Sequence, residues 1–569
     1  MKNSPHTKLS DIIFAFLLCT VTVLGGLVSF GALEFFRHTE ADRALIAWEM
    51  LQRRDFIVPH LLGDIYLTKP PAFYWILSLS FWLTGEVSEW SARLPSVIAS
   101  GLFLGAHYLF LLYAGVRREV AVISSAVLGF SALFFRLSIL AEIDMVYAFL
   151  SSMTLYMAYL SFIGERRLFL TLVAYIFLAM AFLTKGPPVL FFFACGVAGL
   201  FVYRFAGKRL RLAPFLLFHA IGIAAALLLI GSWIWAVAER VGWSDLYYHF
   251  HHEIINRITG QNGGAGKIRP FYYYIGSLFV GFLPWSLSLF GLYRVELWKR
   301  WLLSVLRRPL YIYIFSIVIP SFILFSLSAG KASRYLFPLY PFFSLLLAEL
   351  IVLLPSNPKG FSLLCGAASL VSGAIAVIAP FIPFMLRYHL PSSHWLISLA
   401  FISLPFGALS YWASKRDGRQ MVLWLCLCFL SLRVPYALVY AEVRNQTRSC
   451  KPAVAAIDRV VPRGDPIYIL EMFERWVPYY LKQRGREVFR LSPLRVKEAA
   501  NRNFIYIIID GTEERWRLSQ FLRASKKLTI IGRYTVKKRP LLLLKIPGKE
   551  ASLFKPKRIY PTVTSKPYY

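Results

Sequence analysis

The chain has 569 residues, of which 57% are hydrophobic and only 16% are charged, and its mean hydropathy is +0.56. Soluble domains carry roughly 25% charged residues, so this composition excludes a soluble enzyme and a disordered protein and indicates a polytopic membrane protein. The net charge of +33, in so apolar a chain, favours basic loops beside anionic lipid over a nucleic-acid partner.

Apolar stretches long enough to cross about 30 Å of hydrocarbon recur along residues 1–440. We predict that this part of the chain forms one transmembrane domain of about thirteen helices. The predicted helices are 12–33, 92–112, 119–135, 145–162, 168–184, 187–203, 214–237, 271–293, 310–328, 335–354, 361–385, 395–413 and 421–440.

Lys and Arg residues concentrate in alternate loops between these helices, for example at Arg117-Arg118, Arg166-Arg167 and Lys415-Arg416. Such loops face the cytoplasm, so we expect a cytoplasmic N-terminus. The long loops 34–91 and 238–270 then lie on the outer side. An odd number of helices also places the residues after 440 outside.

The first outer loop contains a predicted helix that begins near Glu40, because Thr39 and Asp42 have the spacing of a capping box and apolar residues follow at helical intervals. Glu40 and Asp42, with Arg43 beside them, are candidate functional residues. Acidic residues in a first turn also simply complement the helix dipole, so both interpretations stay open.

Lys69 stands before Pro70-Pro71, and an aromatic stretch, 73–83, follows. The stretch is too short to cross a membrane and predicts an interfacial helix. Prolines fix the backbone ahead of that helix. A lysine held in this way is suited to binding a lipid phosphate, although a lysine at a membrane surface can also simply extend its amine to water.

Glu142 and Asp144 lie at the outer end of a predicted membrane helix. Carboxylates at this depth are costly unless they line an aqueous cavity. Asp144 is therefore a candidate functional carboxylate. The segment from Thr184 through Lys185 to Pro188 is predicted to be a rigid link on the same side.

The second outer loop contains His249, His252, Glu253 and Arg257, and a glycine-rich stretch, 260–266, precedes Lys267. His249 and Glu253 share one face of a helix, which fits either a divalent metal site or a solvated helix end. The glycine-rich stretch is suited to a gate.

A third outer segment joins two predicted helices and contains Lys331, Arg334 and Tyr335. Topology does not require cations in an outward-facing loop. Their position on the same side as the acidic residues predicts a common site.

Residues 441–569 differ from the rest, with 28 Lys and Arg against 11 Asp and Glu. Short apolar runs at 466–470, 504–510, 528–531 and 541–545 predict strands, and 473–484 and 513–525 predict helices between them. This alternation indicates a soluble α/β domain.

In the order and spacing of several motifs, the chain resembles the polyprenyl-phosphate-dependent glycosyltransferases with the GT-C fold. This family contains the protein O-mannosyltransferases and the lipid A aminoarabinose transferases. The motifs are Thr39-Glu40, Trp48 to Leu51, Asp55 to His60, Lys69 to Trp75, Leu183 to Gly186, Arg269 to Tyr273, Leu283 to Trp285, and Lys331 to Pro341.

The resemblance implies a glycosyltransferase that moves a sugar from undecaprenyl phosphate to an acceptor at the outer face of a bacterial inner membrane. The acceptor would be lipid A, another glycan or a protein, with lipid A or a related glycolipid favoured. The resemblance assigns catalytic roles to Glu40 and Asp144, with Asp42 compensating for a family aspartate that is Thr39 here. Donor-phosphate contacts are implied for Lys69, Arg257, Lys331 and Tyr335.

Three points stay open at the sequence level. A glutamate that the aminoarabinose transferases associate with a metal is Thr68 in this chain, so metal dependence, sugar and acceptor are not fixed. A protein O-mannosyltransferase-like activity is the second candidate. A transporter or flippase of phosphorylated lipids also needs cations in a cavity, but it would favour internal repeats, and none is evident.

Overall fold

The structure is a computed structural model. It describes residues 8–31, 33–35, 38–164, 167–206, 212–248, 251, 267–291, 298–299, 301–303, 308–353, 358–378, 392–470, 476–510, 528–536 and 539–553. The chain divides into two compact units. The first unit comprises Met1–Phe30, Arg93–Ala236 and Phe250–Val439, and the second comprises Gly31–Ala92, Val237–His249 and Tyr440–Tyr569.

The main α-helices, in chain order, are α1 (Leu9–Phe30), α2 (His38–Arg53), α3 (Ala72–Thr84), α4 (Glu89–Tyr113), α5 (Arg118–Gly129), α6 (Ala132–Leu137), α7 (Ile143–Ile163), α8 (Arg167–Lys185), α9 (Pro188–Ala206), α10 (Leu212–Val241), α11 (Tyr273–Gly281), α12 (Pro309–Leu327), α13 (Tyr340–Leu353), α14 (Pro358–Ile378), α15 (Ser392–Ser414), α16 (Gly418–Ser431), α17 (Ala441–Arg448), α18 (Lys451–Val460), α19 (Trp476–Gln483) and α20 (Pro493–Ala500).

The strands are β1 (His60–Leu61), β2 (Asp64–Ile65), β3 (Lys267–Ile268), β4 (Gly330–Lys331), β5 (Ile467–Leu470), β6 (Val488–Arg490), β7 (Phe504–Asp510), β8 (Thr529–Val536) and β9 (Arg539–Pro547). Short 3₁₀ helices occupy Trp285–Gly291, Ser333–Leu339 and Gly548–Leu553.

Eleven helices in the described ranges are long and apolar enough to cross a membrane, which confirms the polytopic helical fold class. Two of the thirteen predicted spans, 119–135 and 271–293, do not form single helices of that length over their described residues. The first breaks into α5, of 12 residues, and α6, of 6 residues. The second contains the 9 residues of α11 and then a 3₁₀ turn, and Pro284 between them lacks the N–H that a continuous helix needs.

The first unit has an aromatic core. Phe110 stacks on Tyr156 with ring centroids 4.0 Å apart, and Phe342 meets Tyr156 edge-on at 6.3 Å. Helix α7 supplies Tyr156 to this core and packs against α8 and α9. Close packing of this kind fixes the start of α7, where the candidate acid Asp144 lies.

In the second unit, the helices predicted near Glu40 and at 73–83 are confirmed as α2 and α3, and the interfacial position of α3 stays a prediction. Helix α3 begins directly after Pro71, a residue suited to a helix start. It ends at Gly85, whose φ of +71° is the left-handed conformation that favours glycine.

The tail residues of the second unit form a five-stranded sheet in the order β6-β5-β7-β9-β8. Strand β5 pairs in parallel with β6 and β7, whereas β9 pairs antiparallel with β7 and β8. The four strands predicted from apolar runs are confirmed as β5, β7, β8 and β9. The predicted helix 473–484 corresponds to α19 over its described residues, and 513–525 lies outside the described residues.

Within the second unit, Glu49 connects α2, the β1–β2 turn and the tail. Its carboxylate accepts hydrogen bonds from the backbone N–H groups of Leu62, at 2.9 Å, and Gly63, at 3.1 Å. The Lys482 ammonium of α19 donates to the same carboxylate at 2.9 Å. The backbone N–H of Arg490 in β6 donates to the Leu62 carbonyl oxygen at 2.9 Å. These contacts fix the chain that leads to Lys69.

Candidate functional site

Four charged residues meet at the start of α7 in the first unit, and we call them the α7 cluster: Glu142, Asp144, Lys185 and Arg334. Glu142 has an extended backbone and precedes the helix, and Asp144 lies in its first turn. Only 3% of Glu142 and 2% of Asp144 is exposed. A helix N-terminus favours carboxylates, but burial of this degree also requires paired cations.

Two cations supply that pairing. The Lys185 ammonium lies 2.5 Å from one oxygen of Asp144. The Arg334 guanidinium lies 2.7 Å from Glu142 and 3.6 Å from the other oxygen of Asp144. Asp144 therefore binds a different cation with each oxygen.

Aromatic rings border the Lys185 ammonium, which lies 5.0 Å from the ring centre of Tyr147 and 5.6 Å from that of Tyr335. These distances are within the range of cation–π attraction. The α7 cluster thus contains two residues proposed from the sequence, Asp144 and Arg334, and its Lys185 lies beside a third, Tyr335.

The sequence interpretation missed Lys185 and Glu142 as members of a site. Lys185 ends α8 and is followed by Gly186, whose φ of +97° turns the chain toward α9. From the sequence, the segment that contains Lys185 and Gly186 is predicted only to be a rigid link between two helices. The pairing of Lys185 with Asp144 joins residues 41 positions apart, and no local spacing rule predicts such a pair.

Lys331 is held by the backbone in the first unit. It lies in β4, directly opposite Lys267 in β3, and 4% of it is exposed. Its ammonium donates to the carbonyl oxygens of Arg269, at 3.0 Å, and Ser328, at 2.5 Å. An ammonium has three donors, so these two bonds orient the charge without saturating it.

The candidate acids of the first outer loop lie together on α2 in the second unit. Glu40, Asp42 and Arg43 are all buried, with 0%, 4% and 7% exposed. The Arg43 guanidinium donates to the phenol oxygens of Tyr74, at 2.5 Å, and Tyr66, at 3.4 Å. Burial raises the pKa of Tyr74, so the phenol stays protonated and the guanidinium keeps its full positive charge.

Lys69 lies in the same unit, 8% exposed, immediately before the proline pair and α3. Its ammonium donates to the carbonyl oxygen of Thr68 at 2.9 Å. Arg257, His252 and Glu253 lie outside the described residues, as does His249. Among the residues that the structure does describe, no group of three His, Cys, Asp or Glu could hold a metal ion.

The fold defines the class first: this is a multi-pass helical membrane protein with the GT-C fold. Over 97% of this chain and 100% of the other, it superposes on the crystal structure of ArnT from Cupriavidus metallidurans bound to undecaprenyl phosphate, with a TM-score of 0.69 and 18% identity. The apo state of that protein matches with a TM-score of 0.67. This likeness establishes the fold.

Sequence comparisons then identify particular relatives. Residues 68–235 match the family described as dolichyl-phosphate-mannose-protein mannosyltransferase. The chain is 26% identical over 449 residues to the undecaprenyl phosphate-alpha-4-amino-4-deoxy-L-arabinose arabinosyl transferase of Photorhabdus laumondii, covering 77% of this chain and 78% of that one. The enzyme of the same name from Yersinia enterocolitica is 27% identical over 423 residues, covering 73% and 74%.

The predicted resemblance is confirmed: the chain resembles glycosyltransferases that use a polyprenyl-phosphate donor. The region matched by the family model contains Lys69, Asp144 and Lys185. The roles of the individual site residues stay predictions.

Proposed function

We propose that this protein is a glycosyltransferase that moves 4-amino-4-deoxy-L-arabinose from undecaprenyl phosphate to lipid A or a related glycolipid. The proposal rests on the similarity to arabinosyl transferases of that name, which extends over about three quarters of both chains. The buried and charge-paired α7 cluster supports it, because such an arrangement at a membrane boundary is typical of a functional site.

We place the reaction at the outer face of a bacterial inner membrane, with the N-terminus in the cytoplasm and the tail, residues 441–569, in the periplasm. The alternation of basic loops supports this orientation. The donor and the acceptor would both enter from the lipid, since each carries acyl or prenyl chains.

In this mechanism, the bond between the sugar C1 and the donor phosphate oxygen breaks while C1 bonds to an acceptor oxygen. The leaving group is undecaprenyl phosphate, whose second pKa is about 6, so it departs without a strong general acid. Fixed cations that stabilise the developing phosphate charge supply most of the rate. We assign this role to Lys69, Arg257 and Lys331, and add Lys185; Tyr335 would donate a hydrogen bond from its phenol to the same phosphate.

The acids act on the other side of the reaction. Asp144 holds Lys185 in place, and Glu40 and Asp42 orient the acceptor or stabilise positive charge on the sugar ring. A lipid A phosphate is already ionised and needs no base, whereas a hydroxyl acceptor does. Glu40 or Asp42 would then receive the proton of that hydroxyl.

The test uses the purified full chain in detergent with undecaprenyl-phosphoaminoarabinose and lipid A, read by mass spectrometry. A gain in lipid A mass equal to one aminoarabinose residue is expected. Lys185→Ala and Asp144→Asn should abolish it, whereas Lys359→Ala, at an exposed position in the first turn of α14, should retain it. No mass gain with wild-type protein would refute the assigned donor and acceptor pair.

One observation favours a second candidate, a protein O-mannosyltransferase-like activity. The family model that matches residues 68–235 is the protein mannosyltransferase model. The same assay with polyprenyl-phosphate mannose and a Ser/Thr-rich peptide distinguishes the two activities, since the gain in mass would then appear on the peptide and not on lipid A.

A further inference from the structure

A basic cavity lies in the first unit among α7, α8, α9 and α10, at the opposite ends of α7 and α8 from the α7 cluster. Its volume is about 60 Å³, and its walls include Arg167, Arg204, His219, Leu200, Phe215 and Phe218. It takes no part in the proposed glycosyl transfer.

The cationic side of this cavity has donors that the protein does not use. Arg167 is exposed and donates one hydrogen bond, from Nε to the Gly164 carbonyl oxygen at 3.3 Å. Within the described part of the chain no carboxylate pairs with it, and both of its Nη groups remain for an outside ligand. His219 binds the Tyr175 hydroxyl through Nδ1 at 3.0 Å, which leaves Nε2.

Arg204 has a structural task that also fixes its position. Its guanidinium donates to the Phe162 carbonyl oxygen at 2.5 Å and lies 4.3 Å from the centre of the Phe162 ring. The bond satisfies a carbonyl at the end of α7, where helices favour cations. The second guanidinium of the cavity is therefore held rigidly at the same end of the bundle as Arg167.

The other wall is apolar and aromatic. Phe215 lies 4.4 Å from the His219 ring, and Leu200 and Phe218 continue the surface. Arg167 begins one membrane-spanning helix, and Arg204 lies at the end of the next. The cations thus occupy the membrane boundary, where lipid phosphates are found, and the apolar wall extends toward the hydrocarbon.

The surrounding sequence is strongly basic. The sequence segments 165–167 and 204–211 contain six cations, Arg166, Arg167, Arg204, Lys208, Arg209 and Arg211, against the single acid Glu165. Basic pockets between transmembrane helices on the cytoplasmic side are suited to anionic lipid headgroups, and the loop pattern assigns this end to the cytoplasm.

We propose that this cavity binds the phosphate of an anionic phospholipid, with Arg167, Arg204 and His219 around the phosphate and Leu200, Phe215 and Phe218 against an acyl chain. A soluble phosphate compound has no acyl chain to pack against the apolar wall. The site lies at the membrane boundary opposite the proposed reaction and does not depend on that function.

Native mass spectrometry of the purified full chain, titrated with phosphatidylglycerol, tests the proposal. One lipid should remain bound at low concentration, and zwitterionic phosphatidylcholine should bind more weakly. Removing one cation near a membrane surface weakens attraction by about fivefold, so Arg167→Gln should lower the affinity by about that factor. Arg167→Lys should retain most of it.

The matched control is Lys359→Gln, which removes an exposed cation from the first turn of α14, on the same predicted side, and should leave the affinity unchanged. Phe218→Ala tests the apolar wall independently and should also weaken binding. Equal losses in Arg167→Gln and Lys359→Gln, or equal binding of phosphatidylcholine, would overturn the proposal. Competition by glycerol 1-phosphate as strong as by the lipid would overturn the lipid assignment.

Discussion

Replacing Glu49 should release the first outer loop from the tail in the second unit. The Glu49 side chain is 3% exposed and the Lys482 side chain 12%, so the pair is screened from water. Glu49→Ala would leave the Lys482 ammonium buried without its partner. It would also remove the acceptor for the Leu62 and Gly63 backbone N–H groups.

The loss of stability expected for Glu49→Ala, as a free energy of local opening, follows from these contacts. Breaking a buried ion pair by removing one partner costs about 3–5 kcal/mol, and each orphaned N–H that stays buried adds about 1–3 kcal/mol. Since the β1–β2 turn can open to water, the lower value of about 3 kcal/mol is the better estimate for local opening. An opening free energy lowered by that amount accelerates amide exchange by roughly 100-fold.

Hydrogen–deuterium exchange of the peptide containing residues 60–65 measures this effect directly. Glu49→Gln keeps one amide oxygen as an acceptor and should give a smaller acceleration. Glu498→Ala is the matched control, because Glu498 pairs with Arg495 on the same helix at an exposed position, where such pairs contribute at most about 1 kcal/mol. Unchanged exchange at 60–65 in Glu49→Ala would show that Glu49 does not hold the turn.

Three further outcomes are expected. Lys69→Ala should abolish sugar transfer without loss of membrane insertion, and normal turnover, measured by mass spectrometry, would exclude its phosphate role. Treatment with a chelator should lower activity only if His249 and Glu253 bind a metal; unchanged turnover would argue against that site. Burial lowers the pKa of His60 in the folded protein. As the pH falls below about 6.5, the unfolded chain therefore takes up a proton before the folded protein does, and the free energy of unfolding should decrease. His60→Gln should reduce the drop in the thermal unfolding midpoint between pH 7 and pH 5.

Local sequence signals predicted the elements around the site well. Helix α2 followed from its capping pattern and apolar spacing, and α3 from the proline pair and the aromatic stretch. The four tail strands followed from apolar runs. Each of these signals depends on residues within a few positions of one another, and hydrophobic periodicity reports local structure.

These local sequence signals do not predict ion pairs between residues that are far apart in the chain. The sequence predicted a common site for Asp144 and Arg334 but not their ion pair, which depends on α7 and the 3₁₀ helix Ser333–Leu339 lying side by side. Lys185 was interpreted only as part of a rigid link, because its partner Asp144 lies 41 positions away along the chain. Two predicted spans were also too long, because apolar composition alone does not reveal the breaks after Gly129 and at Pro284.

The net charge of the tail overstates the cations that an anionic acceptor would meet. The Lys482 ammonium pairs with the Glu49 carboxylate at 2.9 Å, and the Arg486 guanidinium pairs with the Asp458 carboxylate at 2.5 Å. Lys451 lies 3.5 Å from Glu34. These pairs hold segments of the second unit together, so their positive charge is neutralised by the fold. An attraction to lipid A would have to come from the remaining exposed Lys and Arg residues, and substitutions that test it should avoid the paired ones.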